Sequence, residues 1–132
     1  MDLEKTKNII LVEDDESLAR LISHCLKRAG FVVEHIDDGR KALELVSRSE
    51  LPAVIIIDYL MPYANGLKVI NALRAHPVWQ AVPIICITDI TNEDTMISGL
   101  RVRSDGFLTK PVKPEELVAL AVQLAAGKSA FD

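Results

Sequence analysis

The sequence predicts one α/β domain, a doubly wound five-stranded parallel sheet with five helices covering both faces. Three observations carry this expectation. Short apolar runs alternate with amphipathic segments five times along the 132 residues. The third and fourth runs are apolar throughout rather than alternating, as expected for central strands buried on both sides. No linker, low-complexity tract or internal repeat interrupts the pattern.

The first strand is NIILV (8–12), and Asp14, Asp15 and Glu16 crowd the start of the helical pattern after it. There Leu18, Leu21, Ile22, Cys25, Leu26 and Ala29 recur at helical spacing until Gly30 ends the run. Asp15 is placed as the N-cap, where an acidic side chain also suits the helix dipole. FVVEHI (31–36) is the second strand, and Asp37, Asp38 and Gly39 open a helix carrying Ala42, Leu43 and Val46. AVIII (53–57) is the third strand, and Gly66 begins a third helix with Leu67, Ile70 and Leu73 inward. VPIICI (82–87) is the fourth strand, with Pro83 near its start, where a missing donor is tolerated. A weaker helix is expected at about 92–101 and a fifth strand at DGFLT (105–109). Pro114 then sits in the first turn of a last helix running to about Ala126.

Composition narrows the function classes. Nearly half of the residues are hydrophobic and a quarter are charged, which is a globular balance. A net charge of −4 without a basic stripe argues against a nucleic-acid surface. No apolar run approaches the roughly 20 residues that span a membrane, and MDLEKTKN lacks a signal core, so the expected location is the cytoplasm. Cys25 and Cys86 sit among apolar residues and read as free buried thiols. His24, His35 and His76 share no ligand spacing and read as surface or structural.

In doubly wound sheets, ligands bind beyond the carboxyl ends of the strands. Glu13 and Asp14 follow the first strand, Asp58 the third, Thr88 the fourth, and Lys110 with Pro111 the fifth. Any single post-strand Asp is explained by a helix cap, but the set is not. Carboxylates about 4 Å apart repel by roughly 4 kcal/mol per pair at an effective dielectric of 20, more than one lysine offsets. A divalent cation is therefore implied, and oxygen-only ligands favour Mg²⁺ or Mn²⁺. Asp58 has the chemistry of a nucleophile toward phosphorus, forming an aspartyl phosphate. The cation, the Lys110 ammonium, the Thr88 hydroxyl and N–H groups of the YLMPYANG loop would hold the transferred group.

These pieces resemble the receiver domain of two-component response regulators over essentially the whole chain. The matching segments are LVEDDE, IIIDYLMPYANG, ICIT and GFLTKP, in order and at fitting separations. The resemblance implies the flavodoxin-like strand order 2-1-3-4-5, a property of the family rather than a reading of the residues. It implies that Asp58 accepts phosphate from a sensor histidine kinase or histidine phosphotransfer protein, in a Mg²⁺-dependent phosphorelay. Glu13, Asp14, Asp58 and the backbone carbonyl of Leu60 would hold the metal. Thr88 and Phe107 would act as the switch pair, Lys110 would bridge to the phosphoryl oxygens, and the Lys110–Pro111 bond would be cis. Phosphorylation would shift the surface of the fourth helix, fifth strand and fifth helix toward a protein partner or a second copy. On this reading the protein is a signalling switch, not an enzyme with an external substrate.

Three positions depart from the family pattern. Asp89 stands where Ala or Gly is usual and would crowd or repel an incoming phosphoryl group. Arg103 stands where Gly is common, either solvated or marking a partner surface. Leu60 is apolar where a polar side chain can orient water, which implies a long phosphoryl lifetime. The last helix, ELVALAVQLAAG (116–127), is apolar around most of its circumference, with Leu117, Leu120 and Leu124 on one face and Val118, Val122 and Ala125 on another. It fits either scattered exposure or an interface, and Met96, Ile97, Leu100 and Val102 could join it. The domain core is expected to span about 7–127, with only GKSAFD after the last helix and no output domain; a stand-alone receiver and one cut from a longer chain both fit. Two rivals remain. An aspartate-nucleophile phosphatase would carry a second Asp where Leu60 stands. A pseudo-receiver adaptor would keep the fold but bind partners without taking phosphate.

Overall fold

The computed structural model describes residues 7–61, 64–89 and 103–128. Its strands are β1 (Asn8–Val12), β2 (Val32–Ile36), β3 (Val54–Asp58), β4 (Ile84–Thr88) and β5 (Gly106–Thr109). All neighbouring pairs are parallel, in the order β2-β1-β3-β4-β5. The helices are α1 (Glu16–Arg28), α2 (Gly39–Leu43), α3 (Gly66–Ala75) and α4 (Pro114–Ala125). The helix expected at 92–101, with Met96, Ile97, Leu100 and Val102, falls outside the described residues.

Alternation along each strand divides the core into two layers. Ile10, Val12, Ile55, Ile57, Ile84 and Cys86 pack with Ala42, Val69, Ile70, Leu73 and Trp79 on the face covered by α2 and α3. Ile9, Leu11, Val54, Ile56, Ile85 and Ile87 pack with Ala19, Ile22, Leu26, Leu117, Ala121 and Leu124 under α1 and α4. Every residue of β3 and β4 is buried, which is why these two strands lack a polar period. The edge strand β2 is largely exposed instead.

The caps follow the sequence signals. Asp15 accepts from Leu18 N–H at 3.1 Å, Asp38 from Lys41 N–H at 2.8 Å and Asn65 from Lys68 N–H at 3.0 Å. Gly30 takes φ 101° just past α1, a conformation other residues resist. Pro114 is the first residue of α4.

Several expectations shift. Asp58 is itself the last residue of β3, because its backbone continues the ladder, and Tyr59 N–H still reaches Ile87 O at 2.9 Å. Leu21 points outward, 47% exposed: the buried stripe of α1 runs Ala19–Ile22–Leu26, leaving Leu21 beside it. The second helix ends as a 3₁₀ turn, Glu44–Ser47, so Leu45 is buried and Val46 only partly. On α4, Ala121 joins Leu117 and Leu124 in the core, whereas Leu120 is half-buried against Gly106 and Val122 is exposed.

At the opposite edge from the polar cluster, one arginine on α3 ties together the segments that lead into β4 and β5. Arg74 donates to the carbonyls of Arg103, Gln80 and Val82 at 3.0, 2.8 and 2.8 Å, and to Asp105 Oδ2 at 2.7 Å. Asp105 Oδ2 also accepts from Ile84 N–H at 2.8 Å, so the start of β4 is fixed by the same network. Replacing Arg74 by Met keeps the aliphatic stem but strands those acceptors. We expect a loss of about 2 kcal/mol in urea-induced unfolding, read as a lower midpoint with unchanged slope.

Candidate functional site

The carboxyl ends of β1, β3, β4 and β5 bring the expected residues together. Carboxylate oxygens of Glu13, Asp14 and Asp58 all lie within 4.8 Å of one another. Lys110 Nζ donates to Asp58 Oδ2 at 3.2 Å and lies 4.0 Å from Glu13 Oε1. Thr88 is fully buried at the end of β4, and Lys110 N–H donates to its carbonyl at 2.8 Å, so the ladder carries the lysine to the same edge. The Lys110–Pro111 peptide is cis.

Local sequence explains how rigidly these groups are held. Gly66 opens α3 directly against the end of β3, and its N–H donates to Tyr59 O at 2.7 Å. A Cβ at Gly66 would lie 2.8 Å from both Asp58 O and Tyr59 Cα, so only glycine allows that approach. Glu13 is pinned at three atoms. Its N–H donates to Ile36 O at 3.0 Å, its carbonyl accepts from His35 Nε2 at 2.6 Å, and its Oε2 accepts from Asp15 N–H at 3.2 Å.

The electrostatics are unbalanced. Glu13 is fully buried and Asp58 is 3% exposed. Burial, reinforced by the nearby charge of Asp58, pushes the Glu13 carboxyl up to about 8. Burial also raises Asp58, although Glu13 and Lys110 oppose that shift. Burial pulls Lys110 down, but Asp58 and Glu13 outweigh it and hold the ammonium charged; the exposed Asp89 acts in the same direction. Glu13 Oε1 has no hydrogen-bond partner although it is buried. That orphaned oxygen, in an all-oxygen donor set beside a second buried carboxylate, fits a hard divalent cation.

Phe107 pairs with Cys86 in register, on the face covered by α2 and α3, and is partly buried there. Thr88 lies two residues beyond Cys86 and therefore shares that face. Leu60 is half exposed just past β3. Cys25 and Cys86 are free; Cys86 is buried, and burial raises its thiol to about 12, so it is chemically quiet. Arg103 is exposed and its carbonyl serves the Arg74 network. The role of His35 is invisible in the sequence, because its partner lies 22 residues away across a register that only the sheet defines. No described helix is long and apolar enough to cross a membrane.

A carboxyl group raised in the folded state stabilises the fold when protonated. Without divalent cation, stability should therefore fall as pH rises from about 5 through 8, the interval between the ordinary and the raised Glu13 values. We expect the melting temperature to drop by several degrees across that interval. Glu13→Gln or added Mg²⁺ should flatten the slope; thermal melts at several pH values check it.

Comparison with known proteins agrees with this geometry. A family model for the response regulator receiver domain matches residues 9–122. The DNA-binding response regulator MtrA of Mycolicibacterium paratuberculosis is 37% identical over 113 residues, covering 86% of this chain and 48% of MtrA. The chain thus spans about half the length of the curated relatives it matches. The receiver domain of the Francisella response regulator 1452 superposes with a TM-score of 0.82 at 28% identity, covering 92% of this chain and 98% of that one. The receiver domain of the sensor histidine kinase PA1611 from Pseudomonas aeruginosa, solved with a magnesium ion coordinated in its active site cleft, gives a TM-score of 0.82 at 26% identity with the same coverages. The chain belongs to the response regulator receiver domain family.

Proposed function

We propose that Asp58 is the phosphoacceptor of a two-component phosphorelay. The observation that carries this reading is the buried Glu13–Asp58 pair with Lys110 at hydrogen-bond distance, an arrangement that is destabilising until further cationic charge arrives. A carboxylate oxygen of Asp58 attacks phosphorus on a partner's phosphohistidine. The new O–P bond forms as the P–N bond breaks, and the imidazole leaves with the electron pair and takes a proton. Lys110 bears on the charge of the transferred group, and the Thr88 hydroxyl moves to a phosphoryl oxygen. Glu13, Asp14, Asp58 and the Leu60 carbonyl would hold Mg²⁺ or Mn²⁺, which supplies charge neutralisation for the phosphoryl oxygens.

The aspartyl phosphate adds roughly two negative charges. It biases the switch only as far as it favours one state over the other. Withdrawal of Thr88 lets Phe107 turn inward on the shared face. The change is read on the surface of β5 and α4 by a protein partner or a second copy. The partners of the whole protein, nucleic acid included, depend on what accompanies this chain. A cytoplasmic location follows from a phosphohistidine donor of this class.

Incubation with acetyl phosphate and Mg²⁺ should add one phosphoryl group to the chain by intact mass, and none to Asp58→Ala. Equal gain by the variant, or no gain by either protein, refutes the reading; the latter would favour a pseudo-receiver. Leu60 offers no polar side-chain atom to orient an attacking water, so the acyl phosphate should be long-lived. Leu60→Asn should shorten its half-life severalfold, checked by loss of the phosphorylated mass with time.

A further inference from the structure

Glu13 is restrained at three atoms, and two of those restraints come from β2, outside the polar cluster. Val12 pairs with Ile36, the last residue of β2, and the ladder extends one step further, Glu13 N–H to Ile36 O at 3.0 Å. The carbonyl of the same residue accepts from His35 Nε2 at 2.6 Å. A carbonyl oxygen only accepts, so Nε2 carries the proton of that bond. The peptide units on both sides of the Glu13 Cα are therefore held by two successive residues of β2. With Oε2 engaged by Asp15 N–H, the remaining oxygen, Oε1, has no hydrogen-bond partner and is directed toward Lys110, 4.0 Å away.

β1 ends at Val12, so regular strand pairing does not hold the Glu13 carbonyl. Without His35 the peptide could rotate, and a small rotation at Cα moves a carboxylate by an ångström or more. Ligand oxygens of hard cations tolerate little such error. The imidazole is otherwise exposed on an edge strand. Its apolar packing is slight, so the hydrogen bond is its main contact with the site.

We propose that His35 is a positioning residue for the cation site, acting through the Glu13 backbone rather than touching the metal. The inference rests on the metal-binding reading given above. It assigns a role to β2, whose carboxyl end places no side chain among Glu13, Asp14, Asp58, Thr88 and Lys110.

The test is titration of the purified chain with Mn²⁺, read by loss of the free-ion paramagnetic resonance signal. His35→Phe keeps a ring of similar size without the donor, and His35→Gln restores an N–H donor at comparable reach. His35→Phe should weaken Mn²⁺ binding about tenfold, with its metal-free melting temperature close to that of wild type. His35→Gln should recover most of the affinity. Wild-type affinity in His35→Phe, or a His35→Gln variant as weak as His35→Phe, overturns the role of His35 while leaving the metal site in place. Absence of Mn²⁺ binding by wild type removes the metal reading and this inference together, so the two failures are distinguishable.

Discussion

Two carboxyl groups, Glu13 and Asp58, are buried against each other at the edge of the sheet, and the rest of the architecture is arranged around that constraint. Each is delivered by an apolar strand that cannot shift without disturbing a filled core. β3 is sealed by residues of both layers, and Gly66 brings α3 onto the backbone of Asp58 itself. The single ammonium group of Lys110 compensates only part of the charge. The imbalance appears as a raised Glu13 carboxyl and as an acceptor oxygen left without a donor. A site with these properties would be stabilised by a bound cation.

The two ends of the sheet have opposite characters. At the end where the strands begin, Arg74 satisfies three carbonyls and a carboxylate, and the start of β4 is fixed through Asp105. At the end where they finish, polar groups are left partly uncompensated. Rigidity at one end permits electrostatic tension at the other, because the core between them does not deform.

Much of this was legible in the sequence. The unbroken apolar runs of β3 and β4 identified the central strands, and Asp15, Gly30 and Pro114 marked helix ends by capping chemistry. Glu13, Asp14, Asp58, Thr88 and Lys110 were recognisable because each stands at or just past the carboxyl end of an apolar run. What could not be read depends on register and packing. Leu21 has an apolar side chain at plausible spacing, yet the buried stripe passes beside it. The bond from His35 to Glu13 and the reach of Arg74 to Asp105 connect residues distant in sequence, and no periodicity encodes them. The necessity of glycine at 66 appears only once the Asp58 carbonyl is seen within 2.8 Å of a would-be Cβ.

The most direct test of the central claim is the proton count on metal binding. If Glu13 carries a proton at neutral pH because of burial beside Asp58, a hard cation must displace it. Mg²⁺ added to the chain at pH 7 in weak buffer should release close to one proton per bound ion. The release should disappear in Glu13→Gln. Binding without proton release would mean that Glu13 is already ionised, and that the carboxylate pair is not the strained element on which this account depends.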